Sequence, residues 1–209
     1  MTDAPITSGT HTGLTTTTER KASAKFLITG GPGAGKTTFV GSVSEIDPLR
    51  TGPRGLLSSA PLVPSDAAPH PTTISLDFGR ITIDTDLMLY LFGTPDQHRF
   101  GFMWDALANG ALGGVVLADS RRLADCFYAV DYLEARSLPF VVAVNTFDGE
   151  AAHDLDDVRR ALRLADDVLV LRCDAREKSS VKHVLLALFE IILRRMVDDA
   201  DRRLAAQSR

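Results

Sequence analysis

The chain has 209 residues, of which 44% are apolar and 24% charged, and its formal net charge is −4. That length suits one α/β domain with tails and a single sizeable core, and the near balance of charge, with no basic block, excludes nucleic acid as the main partner. Two distant cysteines, Cys126 and Cys173, without a CxxC spacing exclude a disulfide framework or a zinc site and point to reduced thiols.

Residues 1 to about 22 are rich in Thr, Ser and Gly and are expected to be a disordered tail, because they bury too little surface to offset their ordering entropy. They lack the basic start and apolar stretch of a secretory signal, and no run in the chain is long enough to span a bilayer. The last residues carry no prenylation cysteine. A cytoplasmic location is therefore expected, with no direct membrane insertion and any recruitment to a membrane made through a partner.

Lys25–Thr29 reads as a buried strand that ends at a glycine-rich turn. The turn, Gly30-Gly31-Pro32-Gly33-Ala34-Gly35-Lys36-Thr37, fits G-x-x-x-x-G-K-[ST], and a helical pattern follows from Lys36 to near Glu45. Glycines let backbone N–H groups turn inward around an anion, and the helix N-terminus adds partial positive charge. Lys36 is expected to reach the β- and γ-phosphates and the Thr37 hydroxyl to ligate Mg²⁺. The nucleotide-binding set here is Gly30, Gly33, Ala34, Gly35, Lys36, Thr37 and Thr38.

Residues 47–71 scatter six prolines among Gly, Ser and Ala, and are expected to form a flexible loop. Thr72–Phe78 and Leu87–Phe92 then read as strands, with a hairpin between them. Farther on, Val115–Ala118, Phe140–Val144 and Val168–Leu171 are short apolar strands, separated by helical patterns at about 98–109, 122–136 and 154–165. From Ser180 onward Val181, Val184, Leu185, Leu188, Phe189, Ile192, Leu193 and Met196 form one apolar stripe, read as core, with its far end, at Arg194, Arg195 and the acidic residues after them, expected to be solvated. Alternation of this kind predicts a three-layer α/β fold with a mostly parallel sheet covered on both faces and one antiparallel edge strand. The domain is read as residues 23–197, followed by a helix end and tail at 198–209.

Ligands of such sheets sit beyond the carboxyl ends of the strands. Asn145-Thr146-Phe147-Asp148 lies at one such end. Asp148 can accept from both N1–H and the 2-amino group of guanine, donors that adenine lacks as a pair, and Asn145 would tie this loop to the phosphate loop. A plain polar turn is the alternative. Asp174-Ala175, after the next strand, would offer backbone N–H groups to the guanine O6.

Gly30–Thr37, Asn145–Asp148 and Asp174-Ala175 resemble the phosphate and guanine motifs of Ras-like small GTPases. A closer resemblance runs from Lys25 to about Arg195 and includes Thr38–Ile46, Leu76–Ile81, Tyr90–Pro95 and Phe102–Trp104. Those stretches are similar to the conservon-type bacterial small GTPases, relatives of the bacterial polarity-switch branch. The resemblance implies a Ras-like P-loop fold, binding of GTP and GDP with Mg²⁺, and a switch in bacterial signalling with slow, partner-stimulated hydrolysis. It also implies two partners, a roadblock-fold regulatory protein and a sensor-kinase-like protein.

Most Ras-like proteins carry Asp-x-x-Gly after the third strand, where this chain has Gly93-Thr94-Pro95-Asp96. Asp77 on the neighbouring strand is a replacement candidate for the metal ligand, with a solvent-facing strand residue as the alternative. A carboxylate at Asp96 would repel the γ-phosphate unless it turns away or holds the metal. Gln97 sits where a residue orienting the attacking water would be, and Thr73, with Thr72 as rival, where a threonine sensing Mg²⁺ would be. Arg50 and Arg54 are candidates for a transition-state charge. Thr146 stands where Asn-Lys-x-Asp has lysine, which weakens the expected contact with the base plane. His98, Trp104 and Arg121-Arg122 are read as surface or packing residues. Two other functions fit the chain: a non-hydrolysing nucleotide-binding scaffold, and a P-loop small-molecule kinase.

Overall fold

A computed structural model describes residues 22–47, 76–95, 101–147 and 153–207. Strand β1, Ala22–Gly30, leads through the phosphate loop into helix α1, Lys36–Val43. Strands β2, Phe78–Asp84, and β3, Leu87–Gly93, form a hairpin, followed by α2, Gly101–Ala108. Then come β4, Gly113–Asp119, a 3₁₀ turn Leu123–Cys126, and α3, Phe127–Ala135. Strand β5, Phe140–Asn145, helix α4, Leu155–Ala161, strand β6, Leu169–Cys173, and the long helix α5, Lys178–Gln207, complete the chain.

Among the described residues the strands form one sheet in the order β2-β3-β1-β4-β5-β6, parallel throughout except for the β2–β3 pair at one edge. Side chains alternate across a strand, so each central strand feeds both faces. Phe26, Ile28, Val115, Leu117, Val141 and Ala143 pack with Phe39 and Val40 of α1 and Val184 and Leu188 of α5. Leu27, Val116, Ala118, Val142 and Val144 point the other way, onto Trp104 of α2, Val130 and Leu133 of α3 and Val158 of α4. This is the expected three-layer arrangement, and its strands are continuously apolar because both faces are covered.

Three boundaries differ from the sequence reading. The second strand is Phe78–Asp84 rather than Thr72–Phe78: residues 72–75 lie outside the described residues, and Leu76 and Asp77 precede the strand. Pairing dictates this, since the Thr85-Asp86 turn sets Asp84 opposite Leu87 and Phe78 opposite Phe92. The helix expected at 154–165 ends at Ala161, because Arg163 takes a positive φ of 53° that a helix cannot continue through. The final stripe is core only as far as Ile192; Leu193 and Met196 are 57% and 59% exposed. Length explains this: a nine-residue strand spans about 30 Å, whereas a 30-residue helix spans about 45 Å and outruns the sheet.

The free edge of β2 is closed by the segment leaving α1. Arg80 and Thr82 donate their outward backbone N–H groups to Ser44 Oγ (3.3 Å) and Glu45 Oε1 (3.0 Å). The Glu45 N–H returns a 2.8 Å bond to the Arg80 carbonyl. The Thr82 bonds hold the Glu45 carboxyl below its usual range.

Candidate nucleotide site

The carboxyl ends of β1, β4, β5 and β6 lie side by side, and the loops that follow them converge. Gly35, the residue just before α1, sits at φ +105°, and an added Cβ would lie 2.6 Å from Asn145 Nδ2. Only glycine allows both that backbone and that approach. Asn145 uses the space as a bridge. It donates from Nδ2 to the Ala34 carbonyl (2.9 Å) and accepts at Oδ1 from the Ala175 N–H (3.0 Å). One buried amide thus joins the phosphate loop, the end of β5 and the loop after β6.

Lys36 is buried at the first turn of α1, and its ammonium donates to the Gly30 and Gly31 carbonyls at 3.0 and 2.9 Å. Beside it opens a cavity of about 240 Å³ lined by Gly33, Gly35, Lys36, Thr37, Thr38, Asp77 and Thr94. Thr37 donates from Oγ1 to Asp77 Oδ2 (2.7 Å), while Asp77 Oδ1 is buried without a hydrogen-bond partner. Asp77 is 7% exposed, so the solvent-facing alternative falls. A buried carboxylate oxygen left unpaired beside a hydroxyl is the donor set a hard divalent cation takes, with phosphate and water completing the shell. Thr37 and Asp77 therefore fit Mg²⁺.

The glycine at position 93 follows from the same geometry. A Cβ on Gly93 would lie 2.8 Å from Asp77 Cβ and 3.2 Å from its Oδ2. The space that a side chain at 93 would need is filled by the Asp77 carboxylate, which enters from just before β2. Thr94, buried against Thr29 (Oγ1 to Oγ1, 3.0 Å), completes that wall.

On the other side of the loop stands a group that sequence reasoning missed. Asp119, 3% exposed at the end of β4, accepts from Arg121 Nε (2.9 Å) and Nη2 (2.8 Å), and these bonds lower its pKa. The Arg121 guanidinium lies 4.1 Å over the Phe147 ring. Arg122 donates from Nη2 to the Pro32 carbonyl of the phosphate loop (2.6 Å). The Arg121-Arg122 pair is thus half exposed, yet each member is committed to the site's frame. The one sequence signal was an acidic residue ending a buried strand at the carboxyl edge of the sheet.

The amides expected to face a purine O6 are engaged elsewhere. Asp174 N–H donates to Ser180 Oγ (3.0 Å) and Ala175 N–H to Asn145, so neither is aimed outward. The Asp174 carboxyl instead accepts from Arg176, which lowers its pKa. Trp104 packs edge-on against Tyr128 and Tyr132 and donates from Nε1 to the Pro95 carbonyl (3.3 Å). Burial pushes the Cys173 thiol up to about 11 and raises that of Cys126. Arg50, Arg54, Thr72, Thr73, Asp96, Gln97, His98 and Asp148 lie outside the described residues. Among the described residues no helix is long and apolar enough to cross a membrane.

The fold is shared with small GTPases. The G domain of the T. maritima FeoB iron transporter matches with a TM-score of 0.53 and 17% identity, over 82% of this chain and 98% of its own. The Arl6 BBS3 small GTPase from Trypanosoma brucei, solved with bound GppNp, matches with a TM-score of 0.57 and 16% identity, over 83% and 99%. In sequence, an uncharacterized protein of Methanocaldococcus jannaschii is 30% identical over 78 residues, 36% of this chain, which spans about half of that relative's length (50%). The family model described as a conserved hypothetical ATP binding protein matches residues 68–203, beginning after the phosphate loop. With a GTPase-like P-loop fold and a match over most of its length, the chain belongs to the family of conserved hypothetical ATP binding proteins.

Proposed function

We propose that this P-loop protein is a guanine-nucleotide switch that binds GTP and GDP with Mg²⁺ and hydrolyses GTP slowly. The observation that carries the reading is the Asn145 bridge, which ties the strand end bearing Asp148 to the phosphate loop. In this reading Gly30, Gly33, Ala34, Gly35, Lys36, Thr37 and Thr38 hold the phosphates, and Asp148 holds the base. Thr37, Asp77 and Thr73 hold Mg²⁺, which when bound neutralises charge between the β- and γ-phosphates. Gln97 orients the water for in-line attack. The 47–71 loop and the Gly93–Met103 segment would then present a nucleotide-dependent surface to a roadblock-fold regulator and a sensor-kinase-like protein, in bacterial signalling in the cytoplasm.

The family's description favours a second reading, an adenine nucleotide in the same site. The test is competition of GTP and ATP, each with Mg²⁺, against a fluorescent guanine nucleotide on the purified protein. Preference for GTP that is lost in Asp148→Asn is the expected result. Equal competition by ATP would remove the guanine assignment. Gly93 and Asp96 favour a third reading, a scaffold that binds without turnover; release of phosphate in the presence of the roadblock partner separates it from a GTPase.

A further inference from the structure

The phosphate loop is backed by the segment that follows β4. A Cβ on Gly31 would lie 2.4 Å from Asp125 Cβ, and one on Gly33 would lie 3.3 Å from Arg122 Nη2. The loop therefore packs directly on residues 122–125. Arg122, whose Nη2 donates to the Pro32 carbonyl (2.6 Å), is held there between Asp119 and Asp125, with Nε 3.9 and 3.8 Å from their Oδ2 atoms. Arg121 turns to the other side of β4, toward the loop after β5. Its Nε and Nη2 both donate to Asp119, as does its backbone N–H (3.0 Å). A two-point fork of this kind fixes the plane of a guanidinium as well as its place. The guanidinium so fixed lies over the ring of Phe147, the residue that precedes Asp148. Thr146 braces the same loop from the β6 side, donating from its N–H (2.7 Å) and Oγ1 (3.2 Å) to the Cys173 carbonyl.

One carboxylate, 3% exposed at Asp119, thus sets two guanidiniums, one against the loop assigned to the phosphates and one against the loop assigned to the base. We propose that Arg121 and Arg122 are positioning residues for the nucleotide. Arg121, acting through Phe147, sets the base loop and with it the preference between purines. Arg122, acting through the Pro32 carbonyl, sets the phosphate loop and with it the affinity for any nucleoside triphosphate. The assignment rests on the reading of Asn145–Asp148 as the base loop. It makes the two arginines unequal toward lysine. An ammonium has no plane to lay on a ring and no fork for Asp119 to hold, so lysine fails at 121. A lysine at 122 still brings a donor to a carbonyl oxygen, so it suffices there.

The test is calorimetric titration of the full chain and its variants with GTP and with ATP, each with Mg²⁺. Arg121→Lys should lower the preference for the better-bound nucleotide about tenfold, Phe147→Leu should do the same, and the two together should be no worse than either. Arg122→Met should weaken GTP and ATP alike by about tenfold, leaving the preference unchanged, and Arg122→Lys should recover most of that loss. Far-ultraviolet circular dichroism checks each fold; should Arg121→Lys not fold, Phe147→Leu makes the same comparison without touching Asp119. Arg121→Lys and Phe147→Leu chains that keep the wild-type preference, or whose effects add, overturn the role of Arg121. Wild-type affinities in Arg122→Met overturn that of Arg122. Failure of the underlying reading looks different: equal wild-type affinities for GTP and ATP would remove the base-loop assignment and the role of Arg121 with it, and binding of neither would remove the site and both roles.

Discussion

Replacing Asp77 with Asn removes one negative charge from the mouth of the phosphate loop while keeping a side chain of the same size. In the wild type the Thr37 bond to Oδ2, at 2.7 Å, is charge-assisted and contributes about 1.5–3 kcal/mol. The buried, unpaired Oδ1 costs roughly 1–3 kcal/mol. Without a metal the two nearly cancel, so Asn, which can still accept from Thr37, should change stability little, while the lost negative charge should raise the metal-free affinity for the anionic nucleotide. With Mg²⁺ the orphan oxygen becomes a ligand or anchors a ligating water, and its penalty becomes a gain. Asp77→Asn should therefore lose about 10–100-fold of the Mg²⁺-dependent affinity, equivalent to about 1.4–2.7 kcal/mol. The assay is titration of a fluorescent guanine nucleotide with excess Mg²⁺ and again with chelator. An equal Mg²⁺-dependent gain in variant and wild type would refute the reasoning, whatever the absolute affinities.

Three further outcomes follow from the same site. Gly93→Ala places a Cβ 2.8 Å from Asp77 Cβ and should cost about 1–3 kcal/mol of stability in urea unfolding; it should also lower the Mg²⁺ dependence, since Asp77 must move. Asp119 has a depressed pKa in the fold, so it contributes stability above its unfolded value near ~3.9 that disappears as pH falls toward the folded value. Asp119→Asn should thus destabilise at neutral pH and flatten the fall in urea midpoint below about pH 4 relative to wild type; a parallel offset at all pH values would contradict this. Trp104 is the chain's one tryptophan and donates to the Pro95 carbonyl, next to Thr94 in the cavity wall. Its fluorescence should shift when GTP analogue replaces GDP, and identical spectra in the two states would separate α2 from the site.

What the sequence disclosed and what it hid divide along the range of the interactions. The phosphate loop was legible because its chemistry lies within eight consecutive residues, and the central strands because two-sided burial leaves an unbroken apolar run. Asp77 was legible as a candidate by compensation for Gly93, but its burial and its bond to Thr37 come from pairing across the sheet edge. The Asp119, Arg121 and Arg122 group was not legible. It depends on strand order, which sets the end of β4 between β1 and β5, residues far away in the chain. Within the stripe of α5, Leu193 and Met196 were misplaced for a related reason, since periodicity identifies an apolar face without identifying what lies against it, whereas the charges from Arg194 onward marked the far end as solvated. The amides of Asp174 and Ala175 show the same limit: a loop's position can be read locally, but its hydrogen-bond partners cannot.

Ser44 and Glu45, which cap the outer amides of β2, immediately follow the helix that starts at Lys36. An open sheet edge is a template on which another chain can add a strand. Here that template is latched, and the latch hangs from the far end of an eight-residue rod, about 12 Å long, whose near end holds the buried Lys36 of the phosphate loop. A chain that pairs with β2 must first lift Ser44 and Glu45, and so must pull on α1. Edge capture at β2 would therefore displace residues joined directly to the helix that begins at Lys36.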